Sequence, residues 1–376
     1  MDLGYISGFF QAYLLIYIKM NFTLFGYPKS GKTTLFNLLT GANIEIKAYD
    51  DGKKEPNVRT SAIPDDRLEK LSALYPEKNK KPAMIDFIDL AGISYGEIKN
   101  SAYINYLRKA DGLANVVRGF FNSQIPHLKE KISPREDILS MEEELILSDL
   151  IAVESRVETL KKELKRSKNV ESEKEVELLE RIRTNIEEGK AIREIDLSPS
   201  EEKIIRNFAF ISQKPLINMI NIDEKDISLI QTPEKIYSTQ KKGTAVLTFC
   251  GKIEMEILEL EKEEKNDFLI EYGIKEFSAP KFLKTSYNLL DVITFFTIGK
   301  QEVKAWAIKD KTSALNAAGC IHSDIEKGFI RAEVISWKNL LKSGSFQAAK
   351  ENACVRLEGK DYTVQDGDVI YFRFAT

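Results

Sequence analysis

A chain of 376 residues, 30% charged and 43% apolar, has the composition of an ordinary soluble protein with room for more than one domain. Its net charge of −3 excludes a global basic field for nucleic acid and leaves only a local patch as an option. Cys250, Cys320 and Cys354 stand far apart without metal-ligand spacing, and His127 and His322 are the only histidines. This pattern argues against a His-rich metal centre and fits a reducing, cytoplasmic setting.

Residues 1–19 are apolar but lack a basic n-region and a small-residue cleavage site, and they are short for a membrane span. They are expected to be a non-native N-terminal extension, with Met20 as the start. The alternative is a membrane-surface anchor; no membrane partner is expected.

Asn21–Phe25 reads as a buried strand. Gly26, Tyr27, Pro28, Lys29, Ser30, Gly31, Lys32 and Thr33 then match G-x-x-x-x-G-K-[ST], and Leu35, Phe36, Leu38 and Leu39 follow at helical spacing. Strand, loop and helix in this order are the context a phosphate-binding loop requires. Its two glycines let backbone N–H groups turn inward around phosphates, and the helix N-terminus adds a positive dipole end. Lys32 is expected on the β- and γ-phosphates and the Thr33 hydroxyl on Mg²⁺. The alternative is a chance Gly/Lys loop.

Residues 41–83 are polar, with a helical piece near 67–74. Ala83–Asp89 reads as a second strand ending in Asp89-Leu90-Ala91-Gly92, a D-x-x-G arrangement. There Asp89 would hold Mg²⁺ through water and the Gly92 N–H would sense the γ-phosphate. Gly112–Val117 is a third strand. From Pro134 apolar residues recur at 3,4 spacing through Leu150, Val153, Val157, Leu160 and Leu164. The pattern resumes at Val176, Leu179, Ile182 and Ile186 after a polar break. This predicts an antiparallel helical hairpin, or two ordinary amphipathic surface helices, inserted into the nucleotide-binding domain.

Pro215–Ile222 is a buried strand that closes on Asn221-Ile222-Asp223-Glu224, in the place of a base-reading N-K-x-D. Glu224 stands where an aspartate would pair with guanine, and Ile222 where a lysine would pack on the base. Both changes weaken guanine selection, although Asp223 could substitute. Ala245–Phe249 is the next strand, and Cys250-Gly251-Lys252 after it would line the base. In residues 290–376, β-type runs alternate with turns such as Gln365-Asp366-Gly367-Asp368, which reads as a small mixed α+β domain with a ubiquitin-like look. No catalytic arrangement is legible there, and His322 reads as structural.

From about Met20 to the C-terminus the chain resembles the YchF / Obg-like ATPase family of Obg-related P-loop GTPases. The strings that carry the resemblance are GYPKSGKTTLFNLLT, EPNVRTSAIPDDRLEKL, DFIDLAGIS, NIDE, GKIEMEILELEKEEKNDFL, AAGCIHSDIEKGFIRAEVISW and RLEGKDYTVQDGDVIYFRF. It implies an α/β fold: a Rossmann-like P-loop domain over 20–137 and 206–289, a coiled-coil hairpin over 138–205, and a ubiquitin-like TGS domain over 290–376. It also implies slow Mg²⁺-dependent hydrolysis of ATP, with GTP as the alternative, and a ribosomal (large-subunit) or rRNA partner in the cytoplasm. A nucleotide-gated binding module with negligible turnover is the other reading.

The nucleotide is then expected on Gly26, Tyr27, Pro28, Lys29, Ser30, Gly31, Lys32, Thr33, Thr34, Gly92, Asn221, Ile222 and Glu224, and the metal on Thr33 and Asp89. Lys32 is one catalytic candidate. The other is His127, in the Ile125-Pro126-His127 context, because the aliphatic Ile93 occupies the place of a water-positioning glutamine. The chain departs from the family at three places. Lys29 replaces an asparagine of the type that helps hold a monovalent cation. Lys53 replaces the switch-I threonine of C-T-I-E-P-N, and the glycine-rich segment after D-x-x-G is shortened.

Overall fold

The computed structural model describes residues 20–45, 55–98, 101–123 and 131–375. Residues 1–19, Lys53 and His127 lie outside them. Contacts divide the chain into two compact units: Asn21–Arg59 with Asp86–Leu289, and Thr60–Ile85 with Leu290–Thr376.

Strands β1 (Met20–Phe25), β2 (Asn57–Ala62), β3 (Asn79–Lys81), β4 (Met84–Asp89), β5 (Gly112–Gly119), β6 (Leu216–Ile222) and β7 (Thr244–Phe249) come first in the chain. All but β3 form a six-stranded sheet of order β2-β4-β1-β5-β6-β7. Its β1–β5, β5–β6 and β6–β7 pairs are parallel, with Phe22 opposite Gly112, Leu113 opposite Leu216 and Leu216 opposite Thr244. Every residue of β6 is buried, as expected for a central strand covered on both faces. The C-terminal ends of β1, β4, β5, β6 and β7 carry the motifs. This is where an open parallel sheet presents its ligand crevice.

The helices Pro134–Leu164 and Val170–Glu187 form the expected hairpin. Val153, Val157 and Leu160 pack on Leu178, Leu179, Ile182 and Ile186, and Arg156–Glu175 bridges the pair at 2.8 Å. Asn169 caps the second helix by accepting the Glu171 N–H. The first helix begins at Pro134, before the expected boundary at 138. Its early residues Met141 and Leu145 pack with Phe25, Tyr27, Leu113 and Leu216 rather than with the second helix. One continuous helix thus serves both the nucleotide-binding core and the hairpin, and a heptad pattern alone does not mark where that change occurs.

The second unit holds β8 (Val292–Ile298), β9 (Glu302–Lys309), β10 (Phe329–Ser336), β11 (Arg356–Glu358) and β12 (Asp368–Phe374). With β3 they form a mixed sheet of order β11-β10-β12-β8-β9-β3, in which β12 pairs β8 in parallel and β9 in turn pairs antiparallel with β8. Phe295, Ile308, Ala332, Val334 and Ile370 pack with the helix Ala314–Ile321. This is the small α+β domain expected from the sequence, with an addition. Residues 60–85, read as part of the 20–137 nucleotide-binding segment, join this unit instead. There β3 adds alongside β9, and Arg67 bridges Asp65 and Asp366 at 2.7 and 2.6 Å. The cause is edge pairing, because β9 would otherwise expose a row of unpaired backbone groups. Among the described residues no helix is long and apolar enough to cross a membrane.

Candidate nucleotide-binding site

The loop Gly26–Gly31 takes its shape from its glycines. Gly26 has φ +137° and Gly31 φ +99°, both in the region open to glycine. A side chain on Gly26 would meet the Val116 carbonyl at 2.5 Å, and one on Gly31 the Asn221 amide at 2.3 Å. Gly31 is the cap residue of the helix Lys32–Thr40, so the N–H groups of its first turn point into the loop. Lys32 is buried and donates to the carbonyls of Tyr27 at 2.8 Å and Gly26 at 3.3 Å. Lys29 has φ +60°, a left-handed conformation that costs a non-glycine residue about 1 kcal/mol.

Thr33 Oγ1 donates to Asp89 Oδ2 at 2.9 Å, and Asn57 Nδ2 donates to the same oxygen at 3.2 Å. The other Asp89 oxygen is buried without a hydrogen-bond partner. Burial raises the Asp89 pKa, against the opposing pull of Thr33, Lys32 and Asn57. The Thr33 hydroxyl and the Asp89 carboxylate, one of whose oxygens is left without a partner, are hard oxygen donors at the mouth of a phosphate loop, and this pair fits Mg²⁺. Among the described residues no cluster of acidic, histidine and cysteine ligands offers an alternative metal site.

Gly92 lies against the loop, where an added Cβ would sit 2.5 Å from Pro28 Cα. The next residue, Ile93, donates its N–H to the Gly26 carbonyl at 3.2 Å, while its side chain is buried in the core with Phe25 and Leu90. An aliphatic group held there cannot orient water. Further along, Tyr95 donates to Asp137 Oδ1 at 2.6 Å, so the segment after D-x-x-G is tied to the first turn of the hairpin's long helix.

A cavity of about 580 Å³ opens beside the loop. Lys29, Gly31, Thr34, Asn221, Ile222, Glu224, Cys250, Gly251 and Lys252 are among the residues that line it. The expected base-reading residues are therefore brought together. Asn221 is also engaged structurally: it donates Nδ2–H to the Ser30 carbonyl at 3.2 Å and accepts the Gly251 N–H at 3.0 Å. Glu224 pairs with Lys252 at 2.8 Å, which raises the Lys252 pKa. Burial pushes the Cys250 thiol up to about 11, so it is an unreactive wall of the cavity.

Sequence reasoning missed Asn57, Phe120, Phe121, Asn122 and Met255. The first bonds Asp89, and the others line the cavity. Phe120 is held by Arg118, whose guanidinium lies 4.8 Å from its ring and whose Nε–H donates to its carbonyl at 3.2 Å. The only sequence signal for these aromatics is their place just after β5, next to the motif-bearing end of β6.

Two family models match the chain. One, described as 50S ribosome-binding GTPase, covers residues 21–176. The other is the C-terminal family of YchF GTPases, described as a protein of unknown function, over residues 292–375. The chain is 39% identical to the ribosome-binding ATPase YchF of Bacillus subtilis (strain 168) over 357 residues, spanning 93% of this chain and 97% of that relative. It is 33% identical to Obg-like ATPase 1 of Oryza sativa subsp. japonica over 377 residues, 98% and 94% of the two chains. The solved structure of the Schizosaccharomyces pombe YchF GTPase superposes with a TM-score of 0.82 at 26% identity, covering 94% of this chain and 98% of that one.

Proposed function

The chain belongs to the YchF and Obg-like ATPase family of P-loop nucleotide hydrolases, and we propose that it binds Mg²⁺–ATP and hydrolyses it slowly as a ribosome-associated regulator. The observation that carries this reading is the meeting of Thr33 Oγ1 and the half-satisfied Asp89 carboxylate beside the buried Lys32. Mg²⁺, when bound, would neutralise phosphate charge and draw electrons toward the leaving oxygen. Thr33 and Asp89 are the groups that would hold it.

Lys32 would exchange its loop carbonyls for β- and γ-phosphate oxygens, and the N–H groups from Gly26 to Thr34 would cradle the α- and β-phosphates. Gly92 would meet the γ-phosphate. Ile93 leaves water positioning to another group, for which His127 is the candidate. At the far end, Glu224 would accept from the adenine amino group, with Ile222 and Lys252 beside the base. GTP is the competing ligand.

Relatives named for ribosome binding, and a matching family model described as 50S ribosome-binding GTPase, support a ribosomal partner; on this reading the contact is with the large subunit or its rRNA, in the cytoplasm. On this reading the hairpin and the TGS-type C-terminal domain supply the docking surfaces. A second reading, a nucleotide-gated module with negligible turnover, is favoured by the buried Ile93 side chain.

A competition titration of ATP against GTP with Mg²⁺ tests the ligand. Single-turnover hydrolysis by wild type and His127→Ala tests the chemistry. Product from wild type and much less from the variant supports the proposal, whereas binding without product supports the gated module.

A further inference from the structure

We infer that the outer face of the helix Pro134–Leu164 docks a basic, partly apolar protein segment of the ribosomal partner, and that RNA does not occupy this face. The inference rests on the proposed ribosome-associated reading and names what one of its surfaces holds.

A helix packed on a core is expected to turn polar residues to solvent. The outer face of this helix departs from that rule. Leu139, Leu147 and Ile151 are 38%, 50% and 51% exposed. They are interleaved with the exposed Glu136, Glu143, Glu154 and Glu158. From Glu136 to Glu158 the seven follow one another at steps of three or four residues, so they form a single stripe. At 1.5 Å of rise per residue the stripe is about 33 Å long.

The second helix of the hairpin, Val170–Glu187, is built differently. Its solvent side carries ion pairs, Arg181–Glu201 at 2.9 Å and Arg183–Glu180 at 2.7 Å. Val170, its first residue, is the only large apolar residue exposed on it among the described residues. Apolar exposure on the hairpin is therefore gathered along one line of one helix. An exposed apolar patch rimmed by polar residues marks an interaction surface.

Charge decides the occupant. Between Glu136 and Glu158 the helix carries one cation, Arg156, which is engaged with Glu175 at 2.8 Å. Glu158 pairs with Lys162 at 2.9 Å, at the end of the stripe nearest the hairpin turn. Further cations, Lys165, Arg166 and Lys168, lie in that turn, beyond the stripe. A phosphate backbone binds where cations neutralise it, and the stripe offers carboxylates instead. It complements a helix or strand whose apolar side chains are flanked by lysine and arginine. Apolar contacts would anchor such a segment, and the flanking charges would set its register.

The test measures co-sedimentation of the full chain with purified ribosomes in Mg²⁺–ATP, with photo-crosslinking from benzoylphenylalanine at position 147 and, as control, at the exposed position 177 of the second helix. The Leu147→Ser, Ile151→Ser double variant should bind about tenfold more weakly, and so should Glu143→Lys, Glu154→Lys, because like charges then meet. The same lysines set against RNA would tighten binding. All four side chains are exposed, so thermal melts and ATP affinity of both double variants should match wild type. The crosslink from position 147 should exceed that from 177, resist ribonuclease and be lost to protease. A ribonuclease-sensitive crosslink, tighter binding by the lysine variant, or a serine variant that sediments like wild type overturns the inference and leaves ribosome association in place. A wild type that does not sediment with ribosomes overturns both.

Discussion

Asn221 donates its side-chain N–H to the carbonyl of Ser30 at 3.2 Å, so a residue at the end of the central strand β6 holds the phosphate loop. The same amide accepts the Gly251 N–H at 3.0 Å. One side chain therefore joins the phosphate loop to the start of the helix at Gly251. Asn221→Ala removes both bonds and leaves a buried carbonyl and a buried N–H to be re-satisfied. That costs about 1–3 kcal/mol for each group left unpaired. Nucleotide affinity should fall at least about tenfold for ATP and GTP alike, as read by titration. An unchanged ATP affinity would show that the loop keeps its shape without the clamp.

Asp89 bears on pH dependence. Burial raises its folded pKa above the ordinary aspartate value of 3.8. Without metal the folded state then binds its proton more tightly than the unfolded chain, so this group lowers stability as pH rises from the unfolded value through the folded one. Metal binding needs the ionised form, so Mg²⁺ affinity should decline as pH falls through that raised value, earlier than for an exposed aspartate. Asp89→Asn should melt no lower than wild type in EDTA, yet lose the added stability that Mg²⁺–ATP confers. A variant that melts well below wild type in EDTA would contradict the burial argument.

Gly92 has no room for a side chain. In Gly92→Ala the new methyl carbon would lie 2.5 Å from Pro28 Cα and 2.8 Å from Pro28 N, both backbone atoms. The strain should cost about 1–3 kcal/mol in urea unfolding. Displacing Pro28 would also move the loop, so hydrolysis should fall by more than the stability loss alone accounts for.

At the base end, Glu224 and Lys252 form an ion pair at 2.8 Å, with side chains 42% and 67% exposed. Exposure at this level makes the pair a weak contributor to stability. Its effect should appear in selectivity instead. Glu224→Asp restores the shorter carboxylate suited to guanine N1–H and N2, and should shift the ATP-to-GTP competition ratio toward GTP by about tenfold. An unmoved ratio would mean that another group reads the base.

The Tyr95 hydroxyl, 2.6 Å from the buried Asp137, ties the segment after D-x-x-G to the long helix Pro134–Leu164. Tyr95→Phe should leave equilibrium ATP binding within about twofold while lowering unfolding stability by about 1 kcal/mol. Nucleotide-dependent changes in proteolytic cleavage of the hairpin should diminish in the same variant. Persistence of those changes would separate the hairpin from the nucleotide site.

Most of the site could be read before any coordinates because its chemistry is local. A phosphate loop needs its glycines, Lys32 and Thr33 within one turn, and D-x-x-G needs Asp89 and Gly92 at one strand end, so spacing alone carries both. The stripe from Val153 to Leu160 was legible as an apolar helix face, but its packing on Leu179 and Ile182 was decided by the fold.

Long-range pairing was not legible. Residues 60–85 precede the second motif in sequence, yet β3 adds to β9 more than two hundred positions away, because edge pairing is decided by which backbone groups are left open. Phe120 and Phe121 entered the cavity wall only because β5 lies beside β6. What the amino-acid order determined alone was the phosphate grip, with its strand and helix. Only tertiary structure decided that Asn221 secures that grip, that Asp89 is buried with an oxygen to spare, and that Lys29 is held in a left-handed turn. Those facts depend on neighbours brought together by packing, and a one-dimensional pattern does not contain them.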